Sequence, residues 1–188
     1  MKLILLRHGI TAANEEKRYC GVTDIPLSAA GKEKLRQRKN ELCYPDVSGY
    51  TVITSGLLRC EQTLEIVYGA VPHTKESALQ EMHFGDFEMH SFEELKTDPR
   101  YLEWISGENE QKPTPGGESG VQMAARVLEA LARVMERNEN TLIVTHGGVI
   151  AAMMAHLFQN ESKSRYEWQP EPGGGYVIDL KEKKYQAF

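Results

Sequence analysis

Apolar residues in this chain follow two alternating rhythms. Residues 3–6 form a continuous apolar run, too short for a helix, which predicts a strand buried on both faces of a parallel sheet. YTVIT at 50–54 and TLIVT at 141–145 read the same way, YVIDL at 176–180 predicts a further strand, and KKYQAF at 183–188 an edge partner. Between the strands the spacing turns helical. LSAAGKEKLRQRKNELC at 27–43 is a helix with Ser28 as its N-cap, and GLLRCEQTLEIVYGA at 56–70 one that Ser55 is placed to cap. VQMAARVLEALARVMERN at 121–138 puts Val121, Ala124, Ala125, Leu128, Leu131, Ala132 and Met135 on one stripe, and VIAAMMAHLF at 149–158 is apolar enough to be buried. Strands alternating with helices of this length predict an α/β fold with a mainly parallel sheet. Residues 83–118 break the rhythm, and their Pro- and Gly-rich stretch EWISGENEQKPTPGGES marks a loop of the kind that forms a lid or specificity segment.

The chain of 188 residues is expected to form a single domain over 1–188, with 83–118 as a cap insertion. A net charge of -5 argues against nonspecific binding to nucleic acid or membrane surfaces, so an anion would have to be caught by a local pocket. The cysteines Cys20, Cys43 and Cys60 show neither a disulfide framework nor zinc spacing, and the expected setting is a reducing cytoplasm. No run approaches the roughly 20 apolar residues of a membrane helix. The basic run Lys32, Lys34, Arg36, Arg38 and Lys39 is interleaved with Glu33 and Glu41 and reads as a solvated helix face.

Chemistry gathers where strands end. The first apolar run stops at Arg7 and His8, and a buried charge without a partner is costly. YTVIT runs through Ser55 and Gly56 into a helix whose first turn carries Arg59, and TLIVT ends on His146 before two glycines. If these strands are neighbours, Arg7, His8, Arg59 and His146 converge at one carboxyl edge, where open α/β sheets bind ligands. Two guanidinium forks, two imidazoles and a helix N-terminus suit a phosphate. His8, His146 and Glu81 could ligate a metal, but there is no HxH or HExxH spacing and two nearby arginines would repel a cation. Neither a metal nor a cofactor is therefore expected. His73, His90 and His156 have no evident partners.

LRHGITAAN, GVTDIPLSAAG, TSGLLRCEQT, LQEMHFGDFE and VTHGG, strung in that order, resemble the histidine phosphatase superfamily, also called phosphoglycerate mutase-like. The resemblance implies a three-layer α/β/α sandwich in which His8 is transiently phosphorylated. It places Arg7, Arg59 and His146 around the phosphate, with Asn14 and the Gly21 backbone beside them, and makes Glu81 the proton donor. Three positions depart from the family pattern: Gly56 where proline is common, Phe87 where tryptophan is, and Met89 where glycine usually follows the Glu.

The chemistry these residues offer is hydrolysis of a phosphomonoester. A neutral imidazole is a competent nucleophile near pH 7, its unperturbed pKa being about 6.5, provided its other nitrogen donates a hydrogen bond. Both arginines and a protonated His146 would hold the transferring phosphoryl oxygens. Glu81 would supply the leaving-group proton and then activate water, with Glu88 or His83 as the alternative acid. The layout after the acid motif is most similar to α-ribazole phosphatases of cobalamin assembly. Broad-specificity sugar-phosphate phosphatases, phosphoglycerate mutases and a non-catalytic phospholigand-binding module remain as alternatives. Tyr101 and Trp104 could stack on a flat base or simply form core. The expected partner is a small phosphomonoester, and the assembly a monomer or homodimer.

Overall fold

The computed structural model describes residues 1–41, 43–107 and 110–188. Leu42, near the end of the first predicted helix, and Glu108 and Asn109 of the 83–118 segment lie outside the described residues.

Six strands make one sheet: β1 (Lys2–Arg7), β2 (Thr51–Thr54), β3 (Thr74–Lys75), β4 (Thr141–Thr145), β5 (Gly175–Asp179) and β6 (Lys184–Ala187), in the order β3-β2-β4-β1-β5-β6. The four strands from β3 to β1 run parallel, while β5 and β6 add to the far side as antiparallel neighbours. The continuous apolar runs have the predicted cause. Leu3 and Leu5 of β1 face one core, together with Ile53 and Ile143, and Ile4 and Leu6 face the other, together with Val52 and Val144. All four β1 side chains are buried, each worth about 1.5–3 kcal/mol relative to exposure. β3 has no sequence signal because both of its residues are exposed.

The helices are α1 (Ala12–Glu15), α2 (Ala29–Asn40), α3 (Leu58–Tyr68), α4 (Phe92–Leu95), α5 (Pro99–Ser106), α6 (Gly120–Glu136) and α7 (Gly147–Leu157). α6 and α7 cover the Leu3/Leu5 face; α3 covers the other through Cys60 and Leu64, with α2 packed on α3 through Leu35 and Val67. The result is a three-layer α/β/α sandwich. Among the described residues, no helix is long and apolar enough to cross a membrane.

Ser28 caps α2 as expected, accepting from the Gly31 amide. The predicted stripe of α6 is rotated from the true one. Met123, Val127, Ala130, Leu131 and Val134 face the core, whereas Val121, Ala125, Ala132 and Met135 are exposed. α6 is apolar around most of its circumference, so spacing alone admits either stripe. The larger side chains at 123, 127 and 134 settle the phase by filling the space over the sheet.

Residues 83–118 fold as short pieces, a 3-10 turn at Gly85–Phe87 followed by α4 and α5. Ser91 and Glu94 form a capping box on α4, and Asp98 with Pro99 starts α5. Phe87, Leu95, Tyr101 and Trp104 tie the segment to the α6/α7 core.

Candidate active site

Three parallel strands bring the predicted residues to one edge. Arg7 of β1 is in register with Thr145 of β4, and Thr54 of β2 with Val144. The backbone continues the pairing one residue further: the His8 amide donates to Thr145 O at 2.9 Å and the Ser55 amide to Val144 O at 3.1 Å. His8, Ser55 and His146 thus leave the sheet together, and the His8 and His146 rings meet edge to face at 5.1 Å.

Hydrogen bonding assigns both imidazole tautomers. His8 Nδ1 lies 2.7 Å from Gly9 O, and a carbonyl can only accept, so Nδ1 carries the proton and Nε2 presents a lone pair. Burial and the neighbouring Arg59 hold the His8 pKa well below 6.5, which keeps the ring neutral. His146 Nδ1 accepts from Arg59 Nε at 3.3 Å, which places the His146 proton on Nε2, 2.9 Å from Ser55 Oγ. Burial, then His8 and the arginines, push the His146 pKa well down. His146 is therefore neutral here, not the cation expected from the sequence, because a ring with a guanidinium on one nitrogen cannot cheaply add charge. Ser55, expected to cap α3, serves His146 instead. The N-cap of α3 is Leu57, and Asp24 Oδ1 takes the Leu58 amide at 2.7 Å.

Arg59 is only 1% exposed, yet its bonds go to uncharged groups: Gly21 O at 2.5 Å, Thr23 O at 2.9 Å and His146. Among the described residues three of its five N–H donors are spent in this way, which leaves two for a ligand. Arg7 Nη1 donates to Pro170 O at 2.7 Å, while its buried Nε has no partner among the described residues. Burial draws the Arg7 pKa down, with Glu81 and Glu171 opposing. Buried cationic forks short of acceptors make a receptor for a compact anion.

Glu81 is held by two backbone amides, its own neighbour Met82 at 3.0 Å and Gly148 in the first turn of α7 at 2.9 Å. A Cβ on Gly148 would lie 2.5 Å from Glu81 Oε1, so the second glycine of HGG is the opening through which the carboxylate approaches. One first-turn amide of each helix at the edge is thereby engaged internally, Leu58 of α3 by Asp24 and Gly148 of α7 by Glu81.

Glu88, considered as an alternative acid, is a different kind of group. Its carboxylate accepts from the amides of Gly21, Val22, Thr23 and Phe84 and from the Thr23 hydroxyl. Its pKa is lowered: burial opposes, but the Thr23 hydroxyl and the amides outweigh it. A carboxylate held ionised this way has no proton to give. Gly21 sits between the two systems, its amide on Glu88 and its carbonyl on Arg59, so its link to the site runs through Arg59. A Cβ there would lie 1.7 Å from Met82 O, which explains the glycine. Asn14 lies in α1, its Oδ1 engaged by the Thr11 amide and hydroxyl at 3.0 Å each, which leaves its NH2 as the free end. Cys60 Sγ lies 3.7 Å from His146 Nε2, but burial pushes its pKa up to about 12 and it remains a thiol.

The profile of the histidine phosphatase superfamily (branch 1) matches residues 3–187. The chain belongs to this superfamily. It is 31% identical to the adenosylcobalamin/α-ribazole phosphatase of Escherichia coli over 97% of this chain and 92% of that one. It is also 33% identical to a 2,3-bisphosphoglycerate-dependent phosphoglycerate mutase 2 of Gloeobacter violaceus, over 82% and 74% of the respective chains. The crystal structure of the α-ribazole phosphatase from Shigella flexneri superposes with a TM-score of 0.85 at 31% identity, covering 100% of this chain and 95% of that one.

Of the departures from the superfamily pattern, Gly56 is explained by its φ of 81°, which is closed to proline, whereas Met89 holds φ 60°, the left-handed region that favours glycine and works against the methionine. Phe87 is fully buried against Tyr101 and Trp104. Tyr101 is core, its hydroxyl 2.7 Å from that of Tyr19. Trp104 is largely buried but edges a cavity of about 360 Å³ together with Tyr19, Met82, Phe84, Tyr166 and Gln169. Sequence reasoning missed Tyr19, Phe84, Tyr166 and Gln169. Residues 161–170 carry no apolar period, and only the fold shows that Pro170 O reaches Arg7.

Proposed function

We propose that this protein is a phosphomonoesterase that transfers the phosphoryl group of a small metabolite to His8 and then to water. The observation that carries the reading is the His8 Nδ1 bond to Gly9 O, which turns a neutral Nε2 lone pair into a pocket flanked by Arg7 and Arg59. The lone pair forms the N–P bond as the ester P–O bond breaks, and the arginines take up charge on the nonbridging oxygens. The departing alkoxide receives a proton from Glu81. In the second step Glu81 takes a proton from water as it attacks phosphorus, the N–P bond breaks, and its electrons return to Nε2.

Similarity to enzymes named α-ribazole phosphatases, together with the aromatic cavity beside Arg7, supports α-ribazole 5'-phosphate as substrate and cobalamin assembly as context. Residues 83–118 then act as the specificity cap of one domain spanning 1–188. The three free cysteines suit a reducing cytoplasm. The Gloeobacter relative favours a second reading, phosphoglycerate isomerisation.

The test is a rapid quench after a single turnover. Acid-labile, base-stable phosphate should appear on the wild-type protein and be absent from His8→Ala. Its absence from wild type, or its persistence in the variant, ends the reading. Product analysis with 3-phosphoglycerate, with and without 2,3-bisphosphoglycerate, separates hydrolysis from isomerisation.

A further inference from the structure

The cavity edged by Tyr19, Phe84, Trp104 and Tyr166 adjoins the phosphate pocket. Met82 in its wall follows Glu81, and Gln169, also in the wall, comes within 3.1 Å of the Cβ point of Gly147, where Arg7 comes within 3.0 Å. Its volume of about 360 Å³ suits a small ring system. Tyr19, Phe84 and Trp104 already pack on one another, with centroids 5.1 to 6.5 Å apart, and so form a preset wall. Tyr166 is different. It is 74% exposed where it lines the cavity, a large aromatic side chain outside the buried core.

From these positions we infer that the cavity is the leaving-group subsite, that it takes a flat, uncharged aromatic ring, and that Tyr166 closes over that ring. The inference rests on the proposed phosphomonoesterase reading and adds the residues that select its substrate. The charge balance points the same way. Among the described residues lining the cavity, Arg165 is the one cation, and it is paired with Glu110. A leaving group bearing a carboxylate would find no unpaired positive charge here, whereas a planar ring would find aromatic faces and the Gln169 amide.

The experiment measures binding to His8→Ala protein, which removes turnover, by titration calorimetry. α-Ribazole 5'-phosphate is compared with glycerol 3-phosphate, which has the same phosphoryl group and no ring. The expected ratio of affinities is about tenfold or more, falling to about twofold when Tyr166→Ala is added. Phe84→Leu, which keeps an apolar wall without the aromatic face, should lower the ratio as well. A ratio near one in the His8→Ala protein, or a ratio untouched by Tyr166→Ala, overturns the subsite. The phosphohistidine trap reports separately: if it fails while the affinity ratio holds, hydrolysis is lost and the subsite stands.

Discussion

Arg59 donates its Nε hydrogen to Nδ1 of His146, and this bond, closed on the far side by Ser55 Oγ at 2.9 Å, locks the second histidine of the site as a neutral tautomer. One guanidinium thereby orients a ring, holds the Gly21 and Thr23 carbonyls, and keeps two donors for a ligand. Arg59→Ala should weaken inorganic phosphate or vanadate about 10- to 150-fold, the equivalent of a charge-assisted bond worth roughly 1.5–3 kcal/mol. Arg59→Lys keeps the charge but not the fork, and should recover only part of that loss. Unchanged anion affinity in folded protein would remove Arg59 from the pocket.

The two buried histidines predict how stability depends on pH. Both have pKa values held below 6.5 in the fold, His8 chiefly by burial and Arg59, His146 by burial and His8. Below pH 6.5 the unfolded chain takes up protons that the native state refuses, so stability is complete above that value and falls as pH drops. Each histidine can contribute up to about 1.4 kcal/mol per pH unit. His73 has its pKa raised, by the Val71 carbonyl and then Glu61, so its effect has the opposite sign and falls above pH 6.5. Denaturant unfolding between pH 7 and 5 should show the decline, and His146→Asn should flatten the slope whatever it does to the absolute value. An unchanged slope would mean that His146 is protonated in the native state.

Glu88 predicts a structural effect in place of a catalytic one. Glu88→Gln gives up the charge and turns an NH2 toward amides that need an acceptor, at a cost of about 2–3 kcal/mol. Because its folded pKa is lowered, its contribution is present above about pH 4.5 and lost below. The loss should appear in unfolding midpoints and as protease cleavage within residues 19–24. Normal stability with lost activity would return Glu88 to the chemistry.

Met89 holds a left-handed backbone that costs a non-glycine residue about 1–2 kcal/mol, partly offset in a glycine variant by a floppier unfolded chain. Met89→Gly should therefore stabilise the fold by roughly 0.5–1 kcal/mol in denaturant titrations. A lower midpoint would show that the Met89 side chain packs well enough to outweigh its backbone.

What could be read in the sequence and what could not divide along physical lines. The strands β1, β2 and β4 were legible because burial on both faces gives each a run of consecutive apolar residues, Leu3–Leu6, Val52–Ile53 and Leu142–Val144, and Arg7, His8, Arg59 and His146 because each follows such a run. The phase of α6 was not, since a helix apolar on most sides carries two competing stripes. Nor was the role of Ser55: a serine before a helix is the usual cap, and only the neighbouring strand shows His146 as its partner. Charge states were hidden as well. His146 reads as a cation until Arg59 is seen donating to it, and Glu88 as a free acid until five donors are found around it. Tyr166 and Gln169 lie in a segment with no period, so only the fold connects them to Arg7.

Glu81 gives the most discriminating prediction, because its carboxylate is both the proposed acid and part of the frame. Met82 and Gly148 amides fix its two oxygens, and glutamine keeps a carbonyl for only one of them, so any substitution disturbs position as well as proton transfer. Leaving groups of different basicity separate the two effects. A positioned acid typically contributes about 10²- to 10⁴-fold in rate, roughly 3–5 kcal/mol, and it contributes most when the departing oxygen is strongly basic. An alkoxide needs the proton; nitrophenolate barely does. Glu81→Gln should therefore slow an alkyl phosphate by at least about 100-fold while slowing nitrophenyl phosphate far less, with single-turnover rates used so that chemistry is what is compared. A displaced pocket would penalise both substrates alike. Equal losses would reduce Glu81 to a positioning residue on the α7 N-terminus and direct the search for the acid to His83, which would have to release the Gly85 amide that donates to its Nδ1 at 3.0 Å before it could carry the second ring proton that a histidine acid gives up.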